Sequence, residues 1–169
     1  MQLALGLAAA VILADQVSKW AVLTFVMNPP RVLEVTGFFN LVLVYNTGVS
    51  FGLLGGGGAW MPWALSVFAL LVVAALLVWL GREPGRPLAL AVGLVAGGAL
   101  GNVIDRIHQP GVVDFLDFHL GGWHWPAFNL ADSGISLGVV ILVFDGLFCG
   151  HHRSKNMDND NNKGTPREG

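Results

Sequence analysis

The chain has 169 residues, 54% hydrophobic and only 12% charged, with a mean hydropathy of +0.63. Soluble domains carry about a quarter charged residues, so a water-soluble globule is excluded as the working expectation. Nine basic and eleven acidic residues give a net charge of −2 with no basic stripe for nucleic acid, and the single cysteine, Cys149, excludes an internal disulfide or a multi-cysteine metal site.

At about 20 apolar residues per crossing, this length holds four membrane helices with modest loops. The first is expected over 3–26; Met1-Gln2 supplies no basic lead segment, which favours a crossing helix over a cleavable signal. Pro29-Pro30 end it. Residues 32–45 are rich in Val, Leu and Phe, which predicts short strands. The alternative, a fifth crossing, would carry Asn40, Asn46 and Gly48 through hydrocarbon. Gly55-Gly56-Gly57-Gly58 reads as a flexible connector.

Residues 60–80 form the second expected crossing, with Trp60, Trp63 and Trp79 as interfacial anchors. A polar turn over 81–87 leads to the third crossing, 88–107. Residues 108–127 read as a mixed polar and aromatic loop, 128–148 as the fourth crossing, and 151–169 as a polar tail too poor in apolar surface to fold. Arg82, Arg86, Arg153, Lys155, Lys163 and Arg167 then share one side, which the positive-inside rule makes cytoplasmic. Both termini are expected there, with 28–58 and 108–127 on the opposite side.

Ionisable side chains in hydrocarbon need partners or a watered cavity. Asp15, Ser18 and Lys19 share one face of the first helix, and Asp15–Lys19 reads either as a structural ion pair or as part of a polar site. Asn102, Asp105 and Arg106 share a face near the end of the third helix. Gly97 and Gly101, four apart, predict close helix packing inside the chain rather than between copies. Asn129 and Asp132 open the fourth helix, where Asp132 by itself reads as a first-turn acid favoured by the helix dipole. Asp114 lies 18 residues earlier and is expected at the same membrane edge. Asp117 reads as a solvated loop acid; His119 and His124 read as interfacial or as metal ligands, with no nearby cysteine and no two-His helical motif to favour a metal.

Two aspartates held close cannot both ionise; the charged one can deprotonate water while the neutral one protonates an amide carbonyl. The chain has no Gly-x-Ser-x-Gly elbow, His-Glu-x-x-His or phosphate loop. Residue chemistry alone leaves two classes open, an aspartic hydrolase at the outer membrane edge and a proton- or cation-coupled carrier. A non-catalytic assembly subunit is a third.

Five blocks taken together resemble the bacterial lipoprotein signal peptidase (signal peptidase II) family. They are Asp15-Gln16-Val17-Ser18-Lys19, Asn46-Thr47-Gly48-Val49-Ser50-Phe51, the stretch 97–106, Val112-Val113-Asp114-Phe115 and Phe128-Asn129-Leu130-Ala131-Asp132-Ser133. The resemblance implies an all-α membrane protein of four transmembrane helices, with a small periplasmic β-sheet between helices 1 and 2. Residues 1–150 would be the peptidase domain and 151–169 its cytoplasmic tail. It implies that Asp114 and Asp132 are the catalytic pair, with Asp15, Lys19, Asn46, Gly48, Asn102, Asp105, Arg106, Asn129 and Ala131 binding substrate or supporting the site. Asn102, Arg106 and Asn129 would contact the substrate backbone. The implied substrate is a diacylglyceryl-modified prolipoprotein, cut on the amino side of the lipidated cysteine in the bacterial inner membrane. Membrane lipid is the other expected partner; no metal, cofactor or nucleic acid is expected, and the chain is expected to act as a monomer. Pro110 is a departure, standing where the family carries glycine.

Overall fold

Small residues along one central helix set how the chain packs. The computed structural model describes residues 1–48 and 60–148. Among them, four helices are long and apolar enough to cross a membrane. Helix α1 (Gln2–Ala21) closes in a π-helical turn, Val22–Val26; α2 is Met61–Arg82, α3 Arg86–His108 and α4 Leu130–Phe148. The turn between α2 and α3 is shorter than expected, because α2 continues through Arg82 and α3 already begins at Arg86, with Pro87 in its first turn. Val49, Ser50, Phe51, the Gly55–Gly58 connector, Cys149 and the tail 151–169 lie outside the described residues.

Helix α3 is the hub, with Ala91 and Val92 wholly buried, while α1, α2 and α4 turn Leu13, Phe68, Leu71 and Phe144 outward. Large apolar side chains facing out from all three flanking helices suit a lipid surround. A Cβ on Gly97 would lie 2.7 Å from Val11 Cβ and 2.8 Å from the Ala8 carbonyl oxygen. One on Gly98 would overlap the Ala131 carbonyl oxygen of α4. These glycines therefore seat α1 and α4 directly on α3 within one chain. Gly98→Ala must push α4 away at the turn that carries Asp132, and is expected to destabilise the fold by about 1–3 kcal/mol. Thermal unfolding of the purified variant checks this, with Gly146→Ala, whose added Cβ meets nothing within 4 Å, as the neutral control.

Among the described residues, four antiparallel strands cap one end of the bundle in the order β1 (Leu33–Thr36), β2 (Phe39–Asn46), β3 (Val112–Leu120), β4 (Trp123–His124). This corrects the expected sheet in one respect. It is not confined to the connection between helices 1 and 2, because its longest strand, β3, comes from the segment read as a loop. Residues 112–115 of β3 are buried in succession, so the strand lacks the alternation that marks a half-exposed one. The fourth helix starts at Leu130 rather than Phe128, since Phe128 donates its N–H to the Leu116 carbonyl at 3.1 Å and extends the sheet. Val22, Met27 and Phe115, with Leu41, Leu43, Leu116 and Leu130 against them, form the apolar core that fixes the sheet on the bundle.

Candidate active site

The base of the site is an ion cluster between α1 and α3. Asp15 and Lys19, one helical turn apart, pair at 2.8 Å, and Lys19 Nζ also lies 2.7 Å from Asp105 Oδ2 on α3. All three side chains are almost completely buried. Charges removed from water must be paired and hydrogen-bonded, and here nearly every valence is used. Asp15 Oδ1 accepts the backbone N–H of Ala131 at 3.0 Å, tying α1 to the start of α4. Asp105 Oδ2 accepts the Val113 N–H at 3.0 Å, tying α3 to β3. One lysine therefore joins the helices to both segments that carry the candidate catalytic acids.

From this base the network climbs through asparagine amides. Lys19 Nζ donates to Asn102 Oδ1 at 3.2 Å, and Asn102 Nδ2 donates to Asp132 Oδ1 at 2.8 Å. Asn129, wholly buried, stands between the two acids. Its Nδ2 donates to Asp114 Oδ1 at 2.8 Å, and its Oδ1 accepts the Asp132 N–H at 3.0 Å. Asp132 Oδ2 accepts the Asn129 N–H at 3.3 Å in return. That reciprocal pair has the form of a capping box, so the first-turn position of Asp132 on α4 is also the one that brings its carboxyl to this network. On the far side, Asn46 Nδ2 donates to Asp114 Oδ2 at 3.1 Å, while Asn46 Oδ1 accepts the Gly48 N–H at 3.2 Å.

Strand register aims Asp114. In β2 and β3, Leu41 pairs with Leu116 and Val44 with Asp114, so two β2 residues oppose the single Phe115. Such a bulge bends the strand and re-aims the neighbouring side chain. Gly111, just before β3, is held close to the Asn46 carbonyl oxygen, where a Cβ would come within 2.8 Å. Pro110 thus precedes a tight approach that positions the strand. Burial first, and the Asp132 charge second, push the Asp114 carboxyl up to about 6, against the lowering pull of the Asn46 and Asn129 amides.

A cavity of about 660 Å³ opens beside these groups, lined by Asn46, Gly48, Asn102, Arg106 and Asp132 at its polar end. Arg106 Nη1 donates to the Asn102 carbonyl at 3.4 Å, and its Nε is buried with no hydrogen-bond partner among the described residues. An arginine with unspent donors at a cavity wall suits a carbonyl or another acceptor on a bound molecule.

All eleven residues expected at the site fall in this one assembly, as catalytic candidates, cavity wall or supporting network. Asn102 and Asn129 are buried and spend their amides on the carboxylates, so of the three expected substrate-backbone contacts Arg106 is the best presented. Gln16 has a part that its sequence motif does not announce; its Nε2 donates to Asp105 Oδ1 at 2.9 Å and to the Gly101 carbonyl at 3.2 Å. The available signal was its spacing of three from Lys19, one face of a helix. Asp117 requires correction. It is buried rather than solvated, bonded to Asn40 Nδ2 at 2.9 Å and to His124 Nδ1 at 2.9 Å. Burial works to raise its pKa, but the His124 and Asn40 hydrogen bonds outweigh burial and hold the carboxyl below the usual range.

The family model described as "Signal peptidase (SPase) II" matches residues 7–148. The lipoprotein signal peptidase of Burkholderia multivorans is 53% identical over 147 residues, covering 85% of this chain and 86% of that protein. The Burkholderia vietnamiensis protein of the same name is 52% identical over the same shares. Two solved structures of bacterial membrane enzymes match the fold. One has a TM-score of 0.74 at 30% identity, covering 88% of this chain and 94% of that one. The other has 0.72 at 26%, covering 100% and 95%.

Proposed function

The chain belongs to the signal peptidase II family, and we propose that its Asp114 and Asp132 are the catalytic pair of an aspartic endopeptidase that removes signal peptides from prolipoproteins. The carrier and assembly-subunit readings give way to this membership. The observation that carries the residue assignment is that one residue, Asn129, holds both carboxyls at the edge of a cavity, donating from its side-chain amide to Asp114 and from its backbone N–H to Asp132.

Among the described residues, four carboxyls, Asp15, Asp105, Asp114 and Asp132, lie in this cluster with two cations, Lys19 and Arg106. One proton retained by the catalytic pair relieves that excess. Asp114 is the better holder, because its carboxyl is pushed up to about 6. In this reading protonated Asp114 donates to the scissile carbonyl oxygen while ionised Asp132 takes a proton from the attacking water. Arg106 orients the peptide from the wall.

The substrate is proposed to carry a diacylglyceryl group on the cysteine that follows the cut. Its acyl chains would hold the peptide at the hydrocarbon boundary and supply positioning that a soluble protease must obtain by contact. The four apolar helices make this a membrane protein. The distribution of Arg and Lys supports an inner-membrane orientation with both termini cytoplasmic and the sheet on the outer side. Residues 1–150 act as the peptidase unit, a monomer in membrane lipid, with 151–169 as its tail.

The test is cleavage of a synthetic diacylglyceryl precursor by the purified chain across pH, with and without a chelator. Cleavage on the amino side of the modified cysteine, unchanged by chelation, is expected. The acid limb of the mechanism requires the Asp114 proton, so kcat/KM should decline as pH rises through about 6. Absence of cleavage, loss of it on chelation, or a rate that climbs through that pH would reject the reading.

A further inference from the structure

Serine hydroxyls inside helices ordinarily return their hydrogen to a carbonyl one turn earlier. Ser18 donates to the Asp15 carbonyl at 2.8 Å, Ser66 to Pro62 at 2.8 Å and Ser133 to Asn129 at 3.0 Å. Ser136 makes no such bond among the described residues, and it is exposed in the wall of the cavity that holds Asp132 and Arg106. It stands four residues after Asp132, on the same face of α4 and about 6 Å further into the membrane. Apolar Leu65 of α2 lines the same cavity. A hydroxyl at a cavity wall that makes no bond to its own helix is available to an acceptor arriving with a ligand.

We propose that Ser136 is a specificity-determining residue that donates its hydroxyl hydrogen to an ester carbonyl of the substrate's diacylglyceryl group. This rests on the peptidase reading, because the geometry is that of a peptide at the level of Asp114 and Asp132 with its glyceryl group directed inward. The ester carbonyls hang a few bonds below the scissile amide, one helical turn deeper than the acids. Arg106 serves the peptide and Ser136 the lipid linkage, so the cavity reads both parts of the substrate.

Two precursors of one peptide sequence test this, one bearing a diacyl (ester) glyceryl group and one a dialkyl (ether) group without carbonyls. Ser136→Ala should raise KM for the diester about threefold to tenfold and leave kcat within about twofold. It should leave both constants for the diether unchanged, and Ser136→Thr should restore the diester KM. Equal effects on the two substrates, or an unchanged diester KM, would overturn the proposal, and Ser136→Cys, a weak donor, must fall between Ala and wild type. If the wild-type chain cleaves neither substrate the peptidase reading fails; if it cleaves the diester without the ester–ether difference, only the role of Ser136 fails.

Discussion

Asp114→Asn and Asp132→Asn are each expected to lower cleavage of a lipidated precursor by about 10³-fold or more while the protein still inserts and folds. General acid and general base groups typically contribute 10²–10⁴-fold, and here the two carboxyls constitute the whole of the proposed chemistry. The amide is a close isostere, so the loss reads as chemistry. An Asn at 114 keeps one acceptor oxygen for the Asn46 or Asn129 amide and turns an NH₂ toward the other. An Asn at 132 can keep the bond from Asn102 and loses an acceptor for the Asn129 N–H. Each change therefore costs about one hydrogen bond, roughly 1 kcal/mol, well below what unfolds a bundle of this size. Because the two acids act as one unit, the double variant should be hardly worse than the poorer single one. Cleavage rates and thermal unfolding measured on the same preparations check both statements. A single variant with substantial activity would contradict the assignment.

The second large effect is expected at Lys19. Lys19→Met leaves Asp15 and Asp105 buried with no cation between them, and is expected to cost about 3–5 kcal/mol. The damage should reach the chemistry as well, because Lys19 Nζ orients Asn102, and Asn102 holds Asp132. Lys19→Met combined with Asp105→Asn removes one orphaned charge together with its partner, and should recover part of the melting temperature. It should not recover activity, since the link to Asn102 is still missing. Thermal unfolding and cleavage of the two variants separate these terms. A lysine that serves only as a snorkelling surface charge would change neither.

What could be read from the chain divides along a physical line. The pair Asp15–Lys19 and the face Asn102–Asp105–Arg106 follow from helical spacing, a local property, and the structure brings them together as that spacing requires. Long apolar runs likewise mark the four helices. The strand β3 was less legible. Its identity depends on pairing with β2, some seventy residues upstream, and its buried start erases the alternation that would have announced it. Asp117 was misread for the same reason, because Asn40 and His124 bury it only once the sheet has formed. Gln16 shows a milder version: an uncharged side chain beside an ion pair attracts no notice, yet it bridges α1 to two groups of α3.

The claim beneath the mechanism is that Asp114 keeps a proton because it is buried beside Asp132. Infrared difference spectra of the full-length chain labelled with ¹³C-carboxyl aspartate, recorded against pH, observe that proton directly. The account predicts a protonated carboxyl band that disappears as pH rises through about 6, is absent in Asp114→Asn, and titrates at lower pH in Asp132→Asn. A band for Asp114 already lost near pH 4, or one indifferent to the charge at position 132, would contradict it.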